Sequence, residues 1–259
     1  MKIATWNVNS LRVRLPHIFT WLNDVKPDIL ALQETKLVDG DFPIGAIRDA
    51  GYTAVFSGQK AYNGVAIFSR TEMIDAIVDL PAQTDPQRRV LAVTIGQLRI
   101  LNLYVPNGES VSSPKYTYKL AWLKNLDNFL QTELQHYPNM IVLGDFNIAP
   151  AEIDVHDPAA WQDCVLFSDP ERQAFQSLLQ VGFRDCFREL HPTEKNYTWW
   201  DYRMNGFKRN LGLRIDHILA STPLAMNCVN CYIDKTPRDW ERPSDHAPMV
   251  AEFAFQVTG

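Results

Sequence analysis

The sequence predicts an α/β protein: two packed mixed β-sheets covered by helices on their outer faces. Three observations carry this. Short apolar runs of strand length recur from one end of the chain to the other. A few amphipathic helical patterns lie between them. No internal repeat, low-complexity tract or linker interrupts them, so one domain is expected over residues 1–259.

In chain order, "KIATWN" (2–7) is the first strand. Pro16 reads as the first position of a helix, followed by Ile18, Leu22 and Val25 at helical spacing. "DILALQE" (28–34) is a buried strand, and residues 36–50 hold a further helix. "TAVFSG" (53–58) and "GVAIFSR" (64–70) come next. "RVLAVTIG" (89–96) and "LRILNLYV" (98–105) form a hairpin turning at Gly96-Gln97. Leu123, Leu126, Leu130, Leu134 and Tyr137 mark a long amphipathic helix, and "MIVLGD" (140–145) a strand behind it. Asp169 can cap a helix that has Pro170 next, Phe175, Leu178 and Leu179 inside, and Gly182 beyond its end. "LRIDHILAS" (213–221) and "APMVAEFAF" (247–255) complete the strands. The segments 150–168 and 200–212 are long and irregular, which in a compact domain often signals function.

The 259 residues are 46% hydrophobic and 21% charged, an ordinary globular composition. A net charge of −5 argues against a dedicated, sequence-independent nucleic-acid binder, which is usually basic. A cluster of acidic metal ligands would itself make the total negative. The cysteines, Cys164, Cys186, Cys228 and Cys231, are sparse and suit a reducing compartment rather than a disulfide scaffold. The Cys228–Cys231 CxxC lacks a second pair for a metal. "MKIATWNVNS" has no signal-peptide core, and no run approaches a membrane span. A cytoplasmic protein without membrane contact is expected, and a monomer, since no coiled-coil segment is present.

One pattern repeats at the strand ends. "KIATWN" ends in Asn7, "DILALQE" in Gln33-Glu34, and "LRILNLYVPN" near Tyr104 and Asn107. "MIVLGDFN" supplies Asp145 and Asn147, "LGLRIDH" Asp216 and His217, and "RPSDHAP" Asp245 and His246. An acid or amide at one strand end is explained by a turn. Gathered at one rim, these ends would line a cleft with Glu34, Asp145, Asp216, Asp245, several amides and a histidine. Hard oxygen donors without a Cys/His cluster suit Mg²⁺ or Mn²⁺ rather than zinc. Unneutralised, such carboxylates would repel one another at low effective dielectric. Metal, carboxylate, amides and imidazolium together are what phosphate-ester hydrolysis needs.

"WNVNSLR", "LQETK", "YVPNGE", "GDFNIAP", "YTWWDYR", "GLRIDHIL" and "PSDHAP" resemble, in order, the motif set of the exonuclease III family of DNA-repair nucleases. That family lies within the endonuclease/exonuclease/phosphatase superfamily, and the resemblance spans residues 2 to about 254. It implies a four-layer α/β sandwich with the site at one end. It also implies a Mg²⁺ cofactor, replaceable by Mn²⁺, and a double-stranded DNA substrate that is damaged or presents 3′ ends. The implied reaction is hydrolysis 5′ to abasic sites, removal of nucleotides and blocking groups from 3′ ends, or both, leaving a 3′-hydroxyl.

By the same resemblance Glu34 is the principal metal ligand, within a metal environment of Asn7, Glu34, Asp145, Asn147, Asp245 and His246. Asp145 activates or orients the attacking water, and Asn147 positions it and contacts the phosphate. His246 binds the scissile phosphate, Asp216 orients His246, and Tyr104 stands near the phosphate and leaving group. An Asp216–His246 pair also follows from physics, because a carboxylate on one ring nitrogen favours the imidazolium; His246 should then titrate above an ordinary histidine. The bland reading of Asp216 is a surface salt bridge to Arg214.

On the substrate side, Asn107, Arg88, Lys60, Trp199 and Leu213 are expected to bind DNA. "QKAYNG" (59–64) and "QRR" (87–89) look like family phosphate-contacting loops. Other basic residues, among them Arg12, Arg14, Lys115 and Lys119, are either solvating charges or grips on a duplex backbone. The aromatic and basic residues of 197–212 suit stacking in a distorted duplex. Asn107 stands where many family members carry glutamine, and the 150–168 loop has little family signature. Two alternatives remain: a superfamily phosphoesterase acting on a small phosphoester, and a non-catalytic DNA-binding relic.

Overall fold

The computed structural model describes residues 1–81 and 87–254. In chain order its strands are β1 (Lys2–Asn7), β2 (Ile29–Gln33), β3 (Thr53–Ser57), β4 (Val65–Ser69), β5 (Ile74–Val78), β6 (Val90–Ile95), β7 (Leu98–Tyr104), β8 (Met140–Asp145), β9 (Phe183–Asp185), β10 (Trp199–Trp200), β11 (Gly212–Leu213), β12 (Asp216–Ser221), β13 (Cys228–Ile233) and β14 (Met249–Phe253). The helices are α1 (Leu11–Val25), α2 (Ile44–Asp49), α3 (Pro114–His136), α4 (Pro158–Trp161), α5 (Asp169–Gly182), α6 (Cys186–Leu190) and α7 (Thr222–Ala225).

Two six-stranded mixed sheets form the centre, ordered β13-β14-β1-β2-β4-β3 and β5-β6-β7-β8-β12-β9. The pairs β1/β2 and β7/β8 are parallel, and their other neighbours in the two sheets are antiparallel. Period-two side-chain placement sorts each strand between two cores. Ile3, Ala31, Ile67, Ile100, Ile141 and Ile218 fill the space between the sheets. Ala4, Trp6, Leu30 and Leu32 face outward beneath Ile18, Trp21 and Leu22 of α1 and Ile47 of α2. Leu101, Val142 and Leu219 face outward on the other side, under Trp122, Leu126 and Leu130 of α3 and Phe175 and Leu178 of α5. The layers are therefore helix, sheet, sheet, helix.

Several elements differ from the sequence expectation. Helix α1 begins at Leu11, so Pro16 lies inside it and removes one internal donor instead of opening the helix. Ser168, not Asp169, caps α5, and its capping box closes with Glu171; Gly182 is the last helical residue. Residues 36–50 divide into a 3₁₀ turn, Asp39–Asp41, and α2. The run 213–221 breaks before β12, because Gly212–Leu213 pairs with Trp199–Trp200 in a separate ribbon. Strand 247–255 shortens to β14, and its residue 255 lies outside the described residues. Strands β5, β9 and β13 carry no strong sequence signal. β5 and β13 are sheet edges with mostly exposed or half-buried side chains, and β9 is three residues long.

Gly144, one residue before Asp145, is required by close approach. Its φ is +140°, and an added Cβ would sit 2.0 Å from the Leu103 carbonyl oxygen of the neighbouring strand. Gly144→Ala should destabilise the protein by about 3 kcal/mol or more, read as a lower denaturation midpoint. Unchanged stability would mean that β7 and β8 are not packed this closely.

Candidate active site

The same parity that builds the core between the sheets delivers its polar end. Counting by two from Ile3 reaches Asn7; from Ile29 and Ala31, Gln33; from Ile141 and Leu143, Asp145. Ile218 and Ala220 extend back to Asp216. Asn7 and Gln33 are register partners on parallel strands, and Asp216 faces Asp145 on antiparallel ones. The two sheets meet at this end, where the Asn7 side-chain amide donates to Asp145 Oδ2 at 2.8 Å and to Glu34 Oε1 at 2.8 Å. Below them Gln33 donates to Thr5 Oγ1 and Asn102 Oδ1, closing the floor.

Glu34, Asp145 and His246 each place one potential ligand atom within 4.8 Å of the others. His246 Nδ1 lies 2.8 Å from Asp216 Oδ2, and its Nε2 lies 3.8 Å from Asp145 Oδ2. Asn147 follows β8 and donates through its backbone N–H to Asp145 Oδ1 at 2.9 Å. Asn107 donates to Asn147 Oδ1 at 3.1 Å. The Tyr104 side chain stands near the Glu34 and Asp145 carboxylates, which with burial raise its pKa. Asp245 stands beside this cluster, accepting from Trp199 Nε1 and Asn9 Nδ2, each at 3.0 Å.

Burial controls the electrostatics. Burial of Asp145, aided by the Asp216 and Glu34 carboxylates, pushes its pKa up to about 7 against the opposing pull of His246 and the Asn7 hydrogen bond. Burial alone would lower His246, but the Asp216 and Asp145 carboxylates outweigh it and raise the imidazole to about 10. The expected Asp216–His246 pair is therefore present, with a cationic ring. In that charge state Nε2 is an N–H donor facing Asp145. Asn7 likewise turns N–H groups to both carboxylates, while its oxygen accepts from Asn9 N–H at 3.0 Å. Glu34 and Asp145 supply hard carboxylate oxygens at this point, a donor set that fits Mg²⁺ or Mn²⁺.

The other expected residues divide. Asn107 and Lys60 are exposed, and Arg88 is tied to the 59–64 loop through its backbone N–H to Gln59 Oε1. Trp199 is half-buried at the cleft. Leu213 is fully buried with Ala149, Val155, Leu166 and Phe167, so it supports the cleft from below and offers no surface to a ligand. Arg214 does not pair with Asp216; it is buried and bonds Asp154 at 2.6 Å and Asp185 at 2.8 Å. Lys119 is fully buried and faces no solvent-borne backbone. Lys36 was missed, and Arg89, expected only within the 87–89 loop, also reaches the site. Lys36 Nζ lies 2.7 Å from Glu34 Oε2, and Arg89 stacks over the Tyr104 ring at 4.8 Å. The place of Lys36 in "LQETK", two positions beyond Glu34, was the available signal.

Residues 4–246 match the Endonuclease/Exonuclease/phosphatase family. The chain is 35% identical to "Exodeoxyribonuclease III" of Haemophilus influenzae, over 98% of this chain and 100% of that protein. Its fold is similar to that of the 3′ phosphatase NExo from Neisseria, solved bound to a product DNA hairpin, with a TM-score of 0.97, 49% identity, and 98% and 100% of the two chains covered. It is similar too to an AP endonuclease from Archaeoglobus fulgidus, with a TM-score of 0.96, 44% identity, and 98% and 100% coverage. The chain belongs to the endonuclease/exonuclease/phosphatase family and, within it, to the exonuclease III group of DNA-repair nucleases.

Two buried histidines should titrate in opposite directions. His217 Nε2 donates to the Ile148 carbonyl oxygen at 2.9 Å; burial and the Arg214 guanidinium lower its pKa to about 4. His246 is raised to about 10. Stability from the His246 pairing is thus fully present below its ordinary value of 6.5 and is lost as pH rises through about 10. Stability tied to neutral His217 is present above 6.5 and is lost as pH falls toward about 4. Imidazole NMR of the metal-free protein at about pH 8 should show His246 protonated and His217 neutral. A His246 that titrates at or below a free histidine would sink its pairing with Asp216.

Proposed function

We propose that this chain is a Mg²⁺-dependent DNA-repair phosphodiesterase acting as a one-domain monomer in the cytoplasm. It hydrolyses duplex DNA 5′ to abasic sites, removes nucleotides and blocking groups from 3′ ends, or both, leaving a 3′-hydroxyl. The observation that carries this is the cluster of half-buried Glu34 with buried Asp145 and His246 at the meeting of the two sheets. Relatives named as an exodeoxyribonuclease III, a 3′ phosphatase and an AP endonuclease support the substrate class. Among the described residues no helix is long and apolar enough to cross a membrane, and the four cysteines are free.

Each residue has a role that its surroundings support. Glu34 and Asp145 hold the metal, which when bound polarises the phosphoryl group and steadies the leaving oxygen. Asp145, buried at the meeting of the sheets, is placed to orient the attacking water or accept its proton. The His246 imidazolium neutralises charge building on the scissile phosphate, and Asp216 holds it in place and keeps it charged. Asn147 and Asn107 offer amide N–H groups toward the phosphate. Tyr104, whose hydroxyl is kept protonated by burial and the nearby Glu34 and Asp145 carboxylates, is a donor to substrate oxygens. Asn7 and Asp245 support the metal site through Glu34, Asp145, Asn9 and Trp199. Lys60, Arg88 and Trp199 contact the duplex beside the cleft.

An end-labelled duplex carrying one stable internal abasic analogue tests this. Mg²⁺-dependent cutting at the analogue, a ladder shortening from the 3′ end, or both are expected, and EDTA should abolish them. Asp145→Asn should lower kcat on the order of 10³-fold or more. Activity on inositol phosphates with none on duplex DNA would replace this reading with the small-phosphoester one. Undiminished cutting by Asp145→Asn would place the chemistry elsewhere.

A further inference from the structure

Asn147 stands in an unfavourable backbone conformation. Its φ is +50°, in the left-handed region that non-glycine residues seldom occupy. Such strain persists where the surroundings over-determine it. Here every polar group of Asn147 has a partner. Its N–H donates to Asp145 Oδ1 at 2.9 Å, its side-chain amide donates to the Val105 carbonyl at 2.9 Å, and its Oδ1 accepts from Asn107 at 3.1 Å. Its carbonyl oxygen accepts from Lys119 Nζ at 2.7 Å.

Lys119 projects from α3 and is 0% exposed. An ammonium has three donors, and all three are spent here. One goes to the Asn147 carbonyl, one to the Asn107 carbonyl at 3.1 Å, and one to Glu171 of α5. Glu171 is also fully buried, and its oxygens accept from Leu166 N–H at 3.1 Å, Ser168 N–H at 3.1 Å and Ser168 Oγ. Gly108 leaves room for the lysine stem: an added Cβ there would stand 3.2 Å from Lys119 Cδ. One cation thus joins the loop after β7, the loop after β8, and the segment entering α5.

We propose that Lys119 is a positioning residue for the hydrolysis: it fixes the Asn107 and Asn147 backbones relative to each other, so that both side-chain amides meet the same phosphate. Stability alone does not require such a pair, because well-packed apolar residues can replace a buried ion pair without loss. Apolar residues cannot donate to two carbonyls from separate loops. No donor of Lys119 is left for substrate, so it acts through the two asparagines. The inference rests on the hydrolytic reading above.

Lys119→Met alone would strand the Glu171 charge, so the test uses K119M/E171Q, which removes both charges. Wild type must first cut the abasic duplex; if it does not, the functional reading fails before this inference is reached. The double variant should unfold cooperatively, with kcat reduced about tenfold or more and KM changed less than about threefold. Asn147→Ala should lower kcat strongly in wild type but by less than about threefold in K119M/E171Q, because two residues acting through one geometry are not additive. A second variant, Lys119→Arg, keeps a charge opposite Glu171 but offers a planar fork instead of three spread donors, and should lose kcat similarly. Wild-type kcat in either folded variant, or a full Asn147→Ala effect in the double background, would overturn the proposal.

Discussion

A carboxylate held away from water is the constraint on which the rest of this end of the protein depends. Asp145 is 1% exposed, and burying an anion is costly unless partners replace the lost hydration. Those partners come from different parts of the chain. Asn7 reaches it from β1 of the facing sheet, the Asn147 N–H from the loop after β8, and the cationic His246 from the segment before β14. Asp216, on the neighbouring strand, both raises Asp145 by like charge and holds the histidine cation that offsets it. The site therefore exists only when both sheets are docked, and its charge balance is a consequence of the fold.

The loops around that carboxylate are strained in a consistent way. Asn9, Glu34, Lys36 and Asn147 all have φ between 45° and 52°. Each sits where a strand ends and the chain must turn while keeping a polar side chain in the cleft. The strain is held by hydrogen bonds that cross between loops: Lys36 Nζ to Asn9 Oδ1 at 2.6 Å, Ser10 N–H to the Glu34 carbonyl at 2.8 Å, and Lys119 to the Asn147 carbonyl. Strained backbone supported from behind keeps a site preorganised, so that little reorganisation is needed when substrate charge develops.

Two adjacent residues of β12 show how strand parity divides labour. Asp216 faces the space between the sheets and charges His246. His217 faces the other way, against Phe146 and Phe175, beside Arg214. Arg214 is bound by Asp154 and Asp185, and burial together with this guanidinium keeps His217 neutral. One histidine is a charge for the site and the other a neutral link to the Ile148 carbonyl below it.

Much of this was written in local sequence. Apolar runs that end in Asn7, Gln33 and Asp145, and one that begins at Asp216, can be read because a strand's period is two and its end is marked by the first polar residue on the core face. The Asp216–His246 pair was legible because only a carboxylate makes a buried imidazole at such a site a stable cation. Other features were decided by tertiary packing. Lys119 looks like any surface lysine of an amphipathic helix, yet the loops after β7 and β8 and the start of α5 enclose it. Leu213 looks like a cleft residue but is covered by the 150–168 segment, and Arg214 finds Asp154 and Asp185 instead of the acid two positions away. Edge strands β5 and β13 have no buried face to impose a pattern. Sequence by itself determined which side chains a strand presents and at which end. Burial and charge partners are set by residues far apart in the chain, and only the tertiary structure brings those together.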